Sequence, residues 1–318
     1  MTDTFKVLTV DGGGSRGVYS LGVLFELEQK QGKPLVECFD AFFGTSTGAI
    51  ITSLLSLGYT TEQISKLYFE KIPYIMGAFT RYQRTNRLKA MLNEVLGDKG
   101  FDEFKKYTGI VTASVDELRP KVFKSSVTGA HGRTASFAAG FGRPIKEALL
   151  ASCAAYPLFQ PVHIKGDTSH FELIDGGFTA NNPTLFALID ALSAFKIPKD
   201  RVRLLNVGTG SFPECLPKSA ILSGLFYAIN RRFISTILNL NSSTLDTITN
   251  LLMKDVNMVR VSETFSEPAL KTSLLESDVT KLKRLYERGR QSFGNKEKQI
   301  EELLASSSTD ATGISNAV

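Results

Sequence analysis

The feature that most constrains this chain is a pattern met twice near its start: an apolar stretch of strand character, a glycine-dense turn, then helical periodicity. Lys6–Val10 runs into Asp11-Gly12-Gly13-Gly14-Ser15-Arg16-Gly17, after which Val18, Leu21, Leu24 and Phe25 fall at helical spacing. Phe39–Phe43 runs into Gly44-Thr45-Ser46-Thr47-Gly48, followed by an apolar helical stretch, Ala49–Leu57, that Gly58 terminates. Strands separated by helices pair in parallel and need helices over their faces, so the pattern predicts an α/β layered domain with a largely parallel sheet.

The rest of the chain extends the alternation. Thr60 opens a further helix, with Gln63 placed as its capping-box partner, and Leu88, Met91, Leu92, Val95 and Leu96 mark another. Ile110–Val115 and Val122–Val127 are expected to pair around a turn near Arg119-Pro120. Leu173-Ile174 and Leu204–Val207 each end a strand at glycine, before Gly176 and Gly208. With 318 residues, 42% of them hydrophobic and 22% charged, the core is ample and a fibrous or disordered chain is excluded. We expect one domain over residues 1–304, with a motif-bearing core at 5–210 and a helical part at 211–304. Residues 305–318, small, polar and aperiodic, are expected to form a disordered tail.

Composition excludes several classes. Three cysteines, Cys38, Cys153 and Cys215, rule out a disulfide scaffold or a Cys-rich zinc module and suggest a reducing compartment. The formal net charge of +5 suits an anionic ligand or membrane surface without demanding a nucleic acid polymer. Met1–Phe5 has no apolar core of a signal peptide, and no apolar run approaches the roughly 20 residues that span a bilayer. A cytoplasmic protein is the expectation.

The motifs leave chemistry open at this level. Glycines at Asp11–Gly17 let backbone amides approach negative charge at a helix start, and a plain tight turn would need only one or two of them. Gly12, Gly14 and Gly17 also spell G-x-G-x-x-G, with Glu37 and Asp40 placed for a ribose, so a dinucleotide-binding oxidoreductase competes. Gly44–Gly48 reads G-x-S-x-G between strand and helix, a nucleophile elbow presenting Ser46. Gly13, Ser15 and Gly17 match the same pattern, so the pattern alone does not separate Ser15 from Ser46. Asp175, before Gly176-Gly177, either presents a carboxylate or makes an Asx-turn. His131, His163 and His170 all precede Asp175, so a Ser–acid–His order through Asp175 cannot be built. No spacing suggests a metal site, and no cofactor is expected.

Taken together, these segments resemble the patatin-like phospholipase family. DGGGSRG looks like its oxyanion loop, GTSTG its elbow and Ile174–Gly177 the segment carrying its aspartate. Ala151–Pro161, Ala180–Pro183 and Asn206–Gly210 look like its ancillary stretches, in family order. The resemblance implies a three-layer α/β/α fold and a Ser46–Asp175 dyad without histidine. It also implies an oxyanion hole from Gly12, Gly13 and Gly14 supported by Arg16, and hydrolysis of phospholipid acyl esters without metal. It is similar, further, to the cyclic-nucleotide-activated phospholipase effectors of anti-phage signalling. That likeness implies a cyclic di- or trinucleotide activator, peripheral membrane contact at the inner face and a homo-oligomer. Candidate basic residues for the activator are Arg81, Arg84 and Arg87, or Arg231 and Arg232. Two segments mix apolar and basic residues as an interfacial element does: Ile72–Arg84, and Ala220–Leu240 with Leu225, Phe226, Phe233 and Ile237. A catalytically idle member of the fold is the remaining alternative.

Overall fold

A computed structural model describes residues 4–131, 138–165, 170–213 and 223–305. The strands are β1 (Phe5–Val10), β2 (Ala41–Thr45), β3 (Tyr107–Ser114), β4 (Arg119–Lys124), β5 (Val162–Lys165), β6 (His170–Asp175), β7 (Val202–Val207) and β8 (Asn257–Val261). They form one mixed sheet in which β3-β2-β1-β7-β8 run parallel, while β4, β5 and β6 pair antiparallel at the β3 end. The helices are α1 (Gly17–Gln31), α2 (Thr47–Leu57), α3 (Thr61–Met76), α4 (Arg81–Leu96), α5 (Ile145–Ser152), α6 (Gly177–Ala180), α7 (Thr184–Ile189), α8 (Ser223–Leu252), α9 (Val279–Gly294) and α10 (Glu297–Leu304).

Adjacent strand residues point to opposite faces, and the two apolar clusters match that alternation. Leu8, Phe42 and Leu205 join the large core under α1 to α5. Their neighbours Val7, Phe43 and Leu204 join a smaller core with Ala187 and Leu188 of α7. The result is the expected α/β/α layering. Thr60 and Gln63 form the capping box reciprocally, and Gly58 ends α2 in a left-handed conformation, φ 97°.

One register feature positions the site. β4 covers β3 from Gly109 to Ser114, so β2 and β6 must share the opposite edge of β3. β2 arrives with Thr45 opposite Val111, and β6 arrives from the other direction with Asp175 opposite Thr112. The strand ends meet head to head. Ser46, the next residue after β2, and Asp175, the last residue of β6, are therefore brought side by side.

Two expectations change. The β3–β4 turn is Val115–Leu118, and Arg119-Pro120 begins β4. The missing N–H of Pro120 is tolerated there because β4 is an edge strand. The part after residue 210, expected to be helical, also supplies the edge strand β8. It is built into the core: α9 crosses α1 so closely that a Cβ at Gly22 would meet the Tyr286 carbonyl, and one at Gly289 the Tyr19 carbonyl. Of the expected tail, residues 305–318, all but Ala305 lie outside the described residues.

Candidate active site

Ser46 stands between β2 and α2 with φ 54° and ψ −124°, a strained conformation for a residue with a side chain. The strain is held by close packing: a Cβ at Gly48 would strike the Val10 carbonyl, so β1 and the start of α2 touch through bare backbone. Ser152, at the end of α5, ties the turn down. Its hydroxyl accepts the Ser46 N–H at 2.8 Å and donates to the Val111 carbonyl at 2.6 Å.

The Ser46 hydroxyl donates to Asp175 Oδ2 at 2.6 Å, and the Gly177 N–H donates to Asp175 Oδ1 at 2.7 Å. Asp175 is 2% exposed. Burial pushes its carboxyl up from 3.8 to about 7, against the opposing pull of the Ser46 and Gly177 hydrogen bonds. Such a carboxylate is a far better proton acceptor than an ordinary aspartate, and near neutrality it is poised between its two forms. Burial and the charge of Asp175 push the neighbouring Cys153 thiol well above its usual range, so it is no rival nucleophile.

The glycine loop crosses over this pair. Ser15, the rival serine, is fully buried, and its hydroxyl donates to the carbonyls of Leu274 and Glu276 at 3.1 and 2.7 Å. The Gly12 N–H donates to the Asn181 carbonyl at 3.0 Å, so in this state it is not open to a ligand. The amides of Gly13, Gly14 and Thr47 make no hydrogen bond among the described residues, and all three residues line the cleft with Ser46 and Asp175. Gly14 adopts φ 56°, and a Cβ there would run into the Leu274 carbonyl. Arg16 is buried beneath the loop. It donates to the Gly210 carbonyl at 3.3 Å and Asn239 Oδ1 at 3.2 Å, and burial lowers its guanidinium to about 10.

Asp11 is a second buried carboxylate with a different fate. Asn206, Ser242 and Arg260 all donate to it, at 2.9, 2.8 and 2.8 Å. It fastens β1 to β7, β8 and α8. The cleft itself is apolar, walled by Ile72, Ile75, Leu88, Phe159, Leu238 and Leu274, with a cavity volume of about 40 Å³. That is room for about one water molecule.

No histidine lines this cleft among the described residues. His131 Nε2 instead lies 2.7 Å from Asp190, which also accepts from Lys124 at 2.7 Å and Tyr107 at 2.7 Å. Of the basic candidates, Arg84 is 3% exposed and holds the carbonyls of Leu158 and Ala78, both at 2.8 Å, which makes it a staple between loops. Arg87 donates to the Tyr74 carbonyl at 2.5 Å and stacks over the Tyr74 ring. The side chains of Arg231 and Arg232 lie outside the described residues. The sequence reading missed Ser152, Asn181 and the walls from α8 and residues 270–275. The stretches around Ser152 and Asn181 were legible as motifs, whereas the walls carry no local signal.

With this geometry in view, the family model for patatin-like phospholipases matches residues 8–188. The chain belongs to the patatin-like phospholipase family. It is 43% identical over 305 residues to an Escherichia coli cUMP-AMP-activated phospholipase, covering 94% of this chain and 93% of that one. A cGAMP-activated phospholipase of Vibrio cholerae is 25% identical over 90% of this chain and 89% of its own. Among solved structures, VipD of Legionella pneumophila matches with a TM-score of 0.50 at 12% identity, covering 95% of this chain and 67% of that chain. That likeness concerns the fold. The patatin-like membership makes this chain a hydrolase and removes the oxidoreductase alternative. Of the G-x-G-x-x-G glycines, a Cβ at Gly12 would meet Asn181 Oδ1, at Gly14 the Leu274 carbonyl and at Gly17 the Thr47 hydroxyl, so these positions serve close packing around the serine cleft.

Proposed function

We propose that this patatin-like phospholipase cleaves acyl esters of membrane glycerophospholipids with Ser46 as nucleophile and Asp175 as its only proton acceptor. The observation that carries the reading is the 2.6 Å bond from the Ser46 hydroxyl to a buried Asp175, with Ser46 on a strained elbow. As Ser46 Oγ bonds to the ester carbonyl carbon, its proton passes to Asp175 Oδ2. The amides of Gly13, Gly14 and Thr47 stabilise the oxyanion. Collapse breaks the ester C–O bond, and the departing lysolipid alcohol takes the proton from Asp175. Water then attacks the acyl-Ser46 carbonyl carbon and gives its proton to Asp175. Collapse breaks the bond between the acyl carbon and Ser46 Oγ, Asp175 returns the proton to Oγ, and the fatty acid leaves with Ser46 and Asp175 as they began. The Ser152 clamp engages the Ser46 N–H, so that amide takes no part in the oxyanion hole.

The membrane contact we assign to the α3–α4 corner. Phe79 there is 91% exposed, Tyr74 and Tyr82 are 60% and 61% exposed, and Arg81 and Arg87 stand beside them. The inner faces of the same helices, through Ile72, Ile75 and Leu88, wall the catalytic cleft. Aromatic rings with arginines suit the interface of an anionic bilayer. No helix among the described residues is long and apolar enough to cross a membrane. The names of the two cyclic-nucleotide-activated relatives, with the narrow cleft, support a cyclic dinucleotide activator; self-association at the inner membrane face is part of the same proposal. The test is fluorophosphonate labelling and phospholipid hydrolysis by wild type, Ser46→Ala and Asp175→Asn. Labelling of Ser46→Ala, or near-normal turnover by either variant, would overturn the dyad.

A further inference from the structure

α8 and the segment 270–276 are walls with two sides. On one side Leu238 and Leu274 face the catalytic cleft. On the other side Asn239, Ser243, Lys271 and Lys281 line a separate groove of about 720 Å³, with Arg16 in its lining. That volume lies in the range of small-molecule sites. Its chemistry is opposite to that of the cleft. The groove has two ammonium groups, Lys271 and Lys281, several hydroxyls and the half-buried ring of Phe212, over the buried Arg16, whose guanidinium is held by Gly210 and Asn239. The one carboxylate among its described lining residues is Glu276, which is paired with Lys281 at 3.4 Å.

We propose that this groove binds the activating cyclic dinucleotide, an inference that rests on the activator reading above. Two phosphodiester anions require charge-assisted and hydroxyl donors, and the bases require an aromatic or guanidinium plane and polar edges. The groove presents each of these. Its position supplies the coupling. The Leu274 carbonyl accepts both the N–H and the hydroxyl of Ser15, so the 270–276 segment holds the oxyanion loop directly. On α8, Asn239 holds Arg16, Asn241 accepts from the Asn181 N–H and donates to the Thr179 carbonyl, and Ser242 donates to Asp11. A ligand that draws on α8 and residues 271–281 therefore acts on the oxyanion loop and on the loop behind Asp175 together. It also shifts Leu238 and Leu274, whose withdrawal would enlarge the cleft. Converting a 1:99 closed population to 99:1 needs a preference for the open state on the order of 10⁴-fold.

The test uses the full chain and calorimetric titration with cyclic UMP–AMP and cyclic GMP–AMP, with AMP as control. The variants are Lys271→Glu, Lys281→Glu and Ser243→Trp, the last filling the groove without changing charge. Basal hydrolysis of a soluble short-chain ester and far-UV circular dichroism report the fold and the dyad. We expect wild type to bind at least one cyclic dinucleotide, and the folded variants to bind it at least tenfold more weakly with basal hydrolysis within twofold of wild type. Wild-type affinity in all folded variants overturns the groove while leaving the activator reading intact. A wild type that binds neither cyclic dinucleotide overturns that reading and the groove with it. Parallel loss of basal hydrolysis in all three variants would make the groove part of the catalytic scaffold, and would also overturn the proposal.

Discussion

Replacing Asp175 by asparagine should abolish hydrolysis and yet make the protein more stable at alkaline pH. The carboxylate is buried, and its pKa stands at about 7 against 3.8 for a free aspartate. Between those two pH values the folded chain keeps a proton that the unfolded chain has released. Stability contributed by this group therefore falls as pH rises from about 4 to about 7, and then levels off. At about 1.4 kcal/mol per unit, an ionised Asp175 lowers stability at pH 8 by up to about 4 kcal/mol. Asparagine has the same shape and carries no charge. Its carbonyl can accept the Gly177 N–H, and its amide can donate to the Ser46 hydroxyl, so neither partner is stranded. Urea melts of Asp175→Asn and wild type at pH 8, 6 and 4.5 isolate the effect, because other titrating groups are common to both. The variant should be the more stable at pH 8, by a margin that shrinks steadily with falling pH to about 1 kcal/mol at pH 4.5. An asparagine variant less stable than wild type at pH 8, or a margin independent of pH, would refute the argument that burial raises this carboxyl.

The same geometry sets four further outcomes. With Asp175 as the only base, kcat/KM for a soluble ester should climb through an acid limb centred near 7, and replacing His131 and His163 should leave the limb in place; its disappearance would implicate an imidazole. Ser152→Ala strands the buried Ser46 N–H and the Val111 carbonyl, so it should cost about 1–3 kcal/mol of stability and lower kcat at least about tenfold with little change in KM, with partial rescue by Ser152→Thr. Gly14→Ala meets both a left-handed backbone and the Leu274 carbonyl, and should lose fluorophosphonate labelling along with thermal stability. Phe79→Ser should weaken sedimentation with anionic vesicles severalfold while sparing hydrolysis of a soluble ester; unchanged vesicle binding would move the membrane contact elsewhere.

Much of this protein is written locally. The Thr60–Gln63 cap, the glycine at the end of α2 and the alternation of strand and helix are decided by neighbours a few residues apart, and their positions could be read directly. The elbow at Ser46 is also local, because G-x-S-x-G between a strand and a helix admits few backbones. Its pairing with Asp175 came from resemblance to a family, since nothing near Asp175 distinguishes a catalytic carboxylate from a turn residue. Only the tertiary structure makes that distinction. β2 and β6 end head to head on one edge of β3, and burial then lifts the pKa of the one carboxylate placed there. Likewise, Ser15 and Ser46 share one pattern and part company because the backbone carbonyls of Leu274 and Glu276 capture the first hydroxyl. The Gly12 amide is engaged by Asn181, and Arg16 by Gly210 and Asn239, through contacts between residues far apart in the chain. The walls of the cleft from α8 and residues 270–275 have the same origin. Local spacing sets what each segment can form, whereas which carboxylate, amide or hydroxyl is desolvated depends on the segments packed against it.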